Sequence, residues 1–264
     1  MDFQRITSAS NNLIKLIRSL HDKKGRLKEK AIVLEGIRLV TDAVNSGAQI
    51  LYFIISDSFI AKNRTLPEGF PAAKVVLLPD ELFKKTCETD NPQGIMAVAR
   101  IPMHDEGIIL QSERIIILEN IQDPGNAGTI IRTADAFGFD AVLFSKESVD
   151  PFNSKVIRST MGSLFHLPVM VYQDMYSVAE KLKNRGVSII AAHPRDAEYC
   201  YDMDLSGKLA IVIGNEGNGI TERMMKLSDK RVMIPMLGGA ESLNASAAAS
   251  ILLYESMRQL QKSK

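Results

Sequence analysis

Three short stretches carry side chains whose types and spacing suit chemistry on a polar or anionic substrate. In "LENIQDPGNAGTIIRTADAFG", Asp123, Pro124 and Gly125 make a turn and Asn126 can cap the following helix. Gly128 leaves amides open to an anion there, and Arg132, one turn on, shares its face. The same spacing also reads as a capped amphipathic helix with a surface arginine. In "LAIVIGNEGNGI", Gly214, Gly217 and Gly219 surround Glu216. This superficially resembles a dinucleotide fingerprint, but Glu216 would set a carboxylate where a pyrophosphate must sit, and the loop comes late in its domain. A plain glycine turn and a backbone edge that hydrogen-bonds a flat ligand both fit the spacing. In "IPMLGGAESLNASAAASILLYE", Ser242 or Asn244 can cap a terminal helix whose first turns are almost all Ala and Ser. Helix propensity accounts for Ala245, Ala247, Ala248 and Ala249 but not for the polar stretch Ser242-Leu243-Asn244.

Other candidates are thinner. His21, His104, His166 and His193 are scattered and show no metal-ligand spacing with Cys87 or Cys200, so no metal is expected. Asn153, Ser154, Lys155 and Arg158 suit phosphate contacts or a solvated helix face. Residues 1–30 hold eight basic side chains against Asp2, Asp22 and Glu29, a local excess that the net charge of +1 hides and that is attractive to polyphosphate. Aromatic residues make up 6% and Trp is absent, so stacking platforms for bases are sparse and any nucleic-acid recognition would lean on shape and phosphate contacts. Two cysteines far apart argue against a disulfide framework and for a reducing cytoplasm. The start shows no basic-then-apolar signal pattern and no apolar run reaches the roughly 18 residues of a membrane span, so secretion and membrane insertion are not expected.

The elements that must position these residues follow from periodicity. "NNLIKLIRSL" spaces Leu13, Leu16, Ile17 and Leu20 as a helix, "AIVLEG" reads as a buried strand, and "IRLVTDAVNSG" is helical up to Gly47. Strands "QILYFIIS", "KVVLLP" and "GIMAVAR" complete a compact α/β unit, residues 1–105. A linker near residues 101–113 precedes a second domain, 106–264, in which apolar strands alternate with amphipathic helices: "RIIILEN", a helix from Asn126 to Phe137, "AVLFS", and on to "RVMIP" and the final helix. That alternation predicts a parallel sheet covered on both faces, with ligands beyond the carboxyl ends of its strands.

Taken in order, "NAGTIIRTA" with Asn126, Gly128 and Arg132, "IGNEGNG" with Gly214, Glu216 and Gly219, and "IPMLGGAESLNASAAA" with Ser242, Leu243 and Asn244 resemble the three motifs of the SpoU (TrmH-like) branch of the SPOUT RNA methyltransferases. Upstream, "EGIRLVTDAV" and "NPQGIMAVA" look like that family's small substrate-binding domain of the ribosomal-protein L30e type. The resemblance implies a parallel-sheet catalytic domain with a deep C-terminal trefoil knot, S-adenosylmethionine bound in the knot, and methyl transfer to a ribose 2′-hydroxyl of RNA. It implies cofactor contacts at Ile213, Gly214, Gly219, Ile234, Pro235 and Leu243, chiefly through backbone. It implies a catalytic role for Arg132, with Asn126, Glu216, Ser242 and Asn244 orienting ribose and arginine. Family accounts make this arginine a base, yet a guanidinium stays charged in proteins. Clamping the phosphate and stabilising a developing alkoxide suit Arg132 better, with a water, a phosphate oxygen or Glu216 taking the proton. A homodimer is likewise implied. Ribosomal RNA is the expected substrate; transfer RNA is one alternative, and a non-catalytic RNA-binding module is another, although such a module has no need of all these motif residues together.

Overall fold

A buried apolar stripe organises the start of the chain. Asn11 accepts a hydrogen bond from the Leu13 amide and so starts α1 (Asn12–Leu20), which turns Ile14, Ile17 and Leu20 into the core and leaves Leu13 and Leu16 partly covered. The computed structural model describes residues 4–63 and 75–262. These fall into two compact units: Met1–Pro102 together with Phe152–Phe165, and Met103–Pro151 together with His166–Lys264.

The first unit is built on a five-stranded sheet of β1 (Gln4–Arg5), β2 (Ala31–Glu35), β3 (Ile50–Ser56), β4 (Val75–Leu78) and β5 (Ile95–Arg100), ordered β1-β4-β3-β5-β2. β5 runs antiparallel to both β2 and β3, and β4 runs parallel to β3 and β1. Helices α2 (Lys23–Glu29), α3 (Ile37–Asn45), α4 (Asp57–Asn63) and α5 (Asp80–Lys84) complete its N-terminal part. Arg26 is buried and donates to the Leu20 and His21 carbonyls, closing the end of α1; this member of the basic N-terminal run serves the fold. The short helix α8 (Ser154–Thr160) belongs to this unit although it lies far downstream, and it packs on β2.

The second unit carries a seven-stranded sheet of β6 (Arg114–Leu118), β7 (Ala141–Ser145), β8 (Val169–Tyr172), β9 (Ser188–Ala192), β10 (Glu198–Tyr199), β11 (Leu209–Ile213) and β12 (Lys230–Met233). Its order is β10-β12-β9-β11-β6-β7-β8 and every pairing is parallel. The central strands read as continuous apolar runs because both faces are covered. Residues 106–111, inside the stretch expected as a linker, form helix α6 (Glu106–Gln111), started by Asp105, whose side chain accepts from the Gly107 amide. Ile109 of α6 joins Ile115, Ile117, Leu143, Ile189 and Val212 in the core on one face, beneath α9 (Met175–Lys183) and α10 (Glu222–Leu227). Side chains alternate along a strand, so Ile116 and Leu118 point to the other face. α7 (Pro124–Ala136) and α11 (Ala245–Lys262) pack on each other, with a Phe137–Tyr254 edge contact at 5.8 Å. Leu252 and Leu253 are fully buried there, each worth about 1.5–3 kcal/mol of hydrophobic burial. Among the described residues no helix is long and apolar enough to cross a membrane, and no cluster of His, Cys, Asp and Glu could hold a metal ion.

Candidate active site

β12, β9, β11 and β6 are neighbours in the sheet, so the loops leaving their carboxyl ends converge. A cleft of about 420 Å³ opens among the exits of β9, β11 and β12 and the start of α11. This is the size class of a small-molecule site. Ile213, Gly214, Gly219, Ile234 and Leu243 all line it, as do Glu216, Ser242 and Asn244. Pro235 does not, although its neighbours Ile234 and Met236 do. Asn126 and Arg132 also stand outside the lining.

The β11 exit is a closed turn. Asn215 and Gly219 exchange both backbone hydrogen bonds, at 3.0 and 2.9 Å, and the Asn215 side-chain oxygen accepts from the Gly217 and Asn218 amides. Gly219 takes a φ of +68°, which glycine adopts without strain. Gly214 is required for another reason: a Cβ there would stand 2.3 Å from the Gly219 carbonyl carbon and 2.4 Å from the Ile220 nitrogen, both backbone atoms. The glycine loop is therefore a tight turn and a ligand-cleft wall at once.

Glu216 projects from this turn and ties the other loops to it. Its carboxylate accepts from the Gln122 and Asp123 amides at 3.2 and 3.3 Å and from Asn126 Nδ2 at 3.0 Å. A carboxylate only accepts, which fixes Asn126 with its Oδ1 facing away, where it accepts from Asn244 Nδ2 at 3.0 Å. Three loops are thus joined side chain to side chain through the series Glu216, Asn126, Asn244. Partial burial alone would push the Glu216 carboxyl up, but the hydrogen bonds from Asn126 and from backbone amides outweigh it and hold it below the ordinary glutamate value. A carboxylate so engaged is a poor proton acceptor.

Helix starts explain the remaining placements. Asp123, with Pro124 in the first turn, caps α7 by accepting from the Asn126 amide at 2.7 Å. Asn126, expected as the cap, instead lies inside the first turn, buried, with its side chain free to bridge. Asn244 caps α11, its Oδ1 accepting from the Ser246 and Ala247 amides at 2.9 and 3.2 Å. Ala245 and Ala248 line the cleft, so the small residues at this helix start leave its floor open. Arg132 is exposed on α7, and its guanidinium has no hydrogen bond or ion pair among the described residues.

Several contributors escaped the sequence reading. Glu119 is buried and accepts from the Thr221 amide and hydroxyl, at 2.8 and 2.7 Å, pinning the far end of the glycine loop. Asn120 holds a φ of +61°, stabilised by the Ser145 hydroxyl donating to its side-chain oxygen, and its carbonyl accepts from Asn215 Nδ2. His193 at the β9 exit lines the cleft. A carboxylate directly after the run "RIIIL" was the one available signal for Glu119.

The lining holds one carboxylate, Glu216, and no Lys or Arg. That suits a cationic ligand with both apolar and hydrogen-bonding parts and is wrong for a pyrophosphate. S-adenosylmethionine, with a sulfonium beside an adenosine, fits this chemistry: Ile213, Ile234 and Leu243 offer apolar walls, and the turn at Gly214–Gly219 offers backbone edges.

Comparison with known proteins agrees with this geometry. Residues 113–254 match the model of the SpoU rRNA Methylase family, and residues 11–97 match the MRM3-like substrate binding domain. The 23S rRNA (guanosine(2553)-2′-O)-methyltransferase RlmP of Bacillus subtilis is 34% identical over 95% of this chain and 98% of its own length. The 23S rRNA (uridine(2479)-2′-O)-methyltransferase of Streptomyces viridochromogenes is 29% identical over 97% of this chain and 92% of its own. The crystal structure of AdoMet-bound rRNA methyltransferase from Sinorhizobium meliloti matches with a TM-score of 0.84 at 28% identity, covering 98% of each chain.

Proposed function

The chain belongs to the SpoU rRNA methylase family, and from that premise we propose that it transfers a methyl group from S-adenosylmethionine to a ribose 2′-hydroxyl of ribosomal RNA in the cytoplasm. The observation that carries this reading is the cleft at adjacent strand exits, whose lining mixes apolar and hydrogen-bonding groups with one carboxylate and no Lys or Arg, tied through Glu216 and Asn244 to Asn126 on α7, the helix that also carries Arg132. When bound, the cofactor supplies an electrophilic methyl group on a positively charged sulfur.

The residues divide the remaining work. Arg132, permanently charged and without a protein partner, takes a phosphate of the RNA and stabilises negative charge developing on the attacking oxygen. Asn126, Glu216 and Asn244 hold three loops in one arrangement, which fixes where ribose meets cofactor. Ser242, in the cleft lining, is placed to orient the ribose. With Glu216 occupied by three donors, a water or a phosphate oxygen takes the hydroxyl proton. Ile213, Gly214, Gly219, Ile234 and Leu243 hold the cofactor, chiefly through backbone.

Two structural proposals accompany the reaction. The knot implied by the family is supported by topology: the chain leaves β12 near one edge of the sheet, yet α11 returns past β9 and β11 to pack on α7, which follows β6. A crystal structure tracing residues 234–245 outside any loop would overturn it. A homodimer is supported by apolar side chains left in water on α11, Ile251 at 40% and Tyr254 at 50% exposure. Light scattering should give twice the 29.1 kDa chain mass; a fully active monomer would refute pairing.

The reaction is tested by incubating the protein with methyl-labelled S-adenosylmethionine and separate pools of ribosomal and transfer RNA. Label is expected in ribosomal RNA. Label confined to transfer RNA would move the substrate assignment, and none in either pool would leave only a binding module.

A further inference from the structure

A second cleft, of about 330 Å³, lies wholly within the first unit, where α3, the loop before β5 and helix α8 meet. Arg38 of α3 and Arg158 of α8 both line it, and neither guanidinium has a hydrogen bond or ion pair among the described residues. Its one carboxylate, Glu35, is already engaged, accepting from the Glu88 amide at 2.8 Å and from the Thr89 amide and hydroxyl at 3.2 and 2.7 Å. Cys87 adds no negative charge, because burial and then the nearby Glu35 push its thiol well above the usual range. Leu39 and Met161 give the cleft apolar walls. Two guanidiniums against one carboxylate, over a slot with apolar walls, are chemically matched to a phosphate attached to a flat base.

We propose that this cleft docks one nucleotide of the RNA substrate other than the methylated one, with its phosphate between Arg38 and Arg158 and its base against Leu39 and Met161. The inference rests on the RNA-methyltransferase reading. It also gives a reason for α8 to fold with the first unit: the excursion of residues 152–165 delivers the second guanidinium, which the N-terminal segment alone does not contain.

The test uses the full-length protein, a 23S rRNA transcript and a salt series, with S-adenosylmethionine affinity measured in parallel by calorimetry. Arg38→Gln, Arg158→Gln and the double variant should each bind RNA more weakly, and in the double variant, which loses the one phosphate contact, the slope of log affinity against log salt should become shallower by about one unit. Cofactor affinity and the melting temperature should match wild type, and Arg38→Lys should recover part of the loss. Wild-type RNA binding and methylation, with variants that keep its affinity and slope, would overturn the inference while leaving the reaction intact. A wild-type protein that binds cofactor but no RNA would sink the reaction and this inference together.

Discussion

Asn126 bonds through its side chain to both other loops, so removing it tests whether the three-loop series organises the cofactor cleft. Its Nδ2 bond to Glu216 is charge-assisted, worth about 1.5–3 kcal/mol, and its Oδ1 bond from Asn244 is neutral, worth about 0.5–1.5 kcal/mol. Glu216 and Asn244 are both exposed as residues, so the low ends of these ranges apply, about 2 kcal/mol together. If that energy holds the loops in the binding arrangement, Asn126→Ala should weaken S-adenosylmethionine binding roughly 30-fold. Asn126→Asp is the sharper variant, because it keeps the shape but sets a second carboxylate 3.0 Å from the first. Its binding should be at least as weak as that of the alanine variant. Isothermal titration near neutral pH measures both, with a thermal melt to confirm folding. Two folded variants that bind the cofactor as wild type does would refute the reasoning, since the series would then be decoration around a cleft that other contacts maintain.

Further outcomes follow from individual contacts. Gly214→Ala drives a Cβ onto backbone atoms of Gly219 and Ile220 that cannot step aside; overpacking of this kind costs about 1–3 kcal/mol, so a melting temperature lowered by roughly 5 °C and strongly weakened cofactor binding are expected by scanning calorimetry and titration. Arg132→Ala should lower the single-turnover methylation rate by about 10²–10³ while leaving cofactor affinity unchanged, because Arg132 stands outside the cleft lining. The Glu216 carboxyl is held below its ordinary value of 4.5 when folded, so its contribution to stability is present above that pH and is lost as pH falls through the lowered folded value. Glu216→Gln should be less stable near neutral pH and show a flatter acid limb in melts from pH 7 downward.

The sheet of the second unit was legible because its central strands are apolar runs such as Ile115–Leu118 and Leu209–Ile213, bounded by polar turns. β1 and β10, two residues each, give no periodic signal and were missed. The cap of α7 was misplaced by three residues: Asp123 and Asn126 are both good caps, and Pro124, favoured in the first turn, was the signal that pointed to Asp123. Motif residues Asn126, Glu216 and Asn244 could each be picked out, but not the bonds that join them, since Asn126 lies 90 and 118 positions from its two partners. The roles of Glu119 and Asn120 were hidden for the same reason, as Thr221 and Asn215 approach them only through adjacency of β6 and β11, and the carboxylate after "RIIIL" marked a position without naming its partner. The assignment of α8 to the first unit is likewise decided by packing on β2, which no local pattern encodes.

The central claim concerns a particular oxygen. Ribosomal RNA treated with the protein and labelled S-adenosylmethionine, digested to nucleosides and separated by chromatography with mass spectrometry, should carry the label on ribose, with the 3′-linkage at that residue resistant to alkali. Label on a base carbon or nitrogen, with every linkage still cleaved by alkali, would contradict the account.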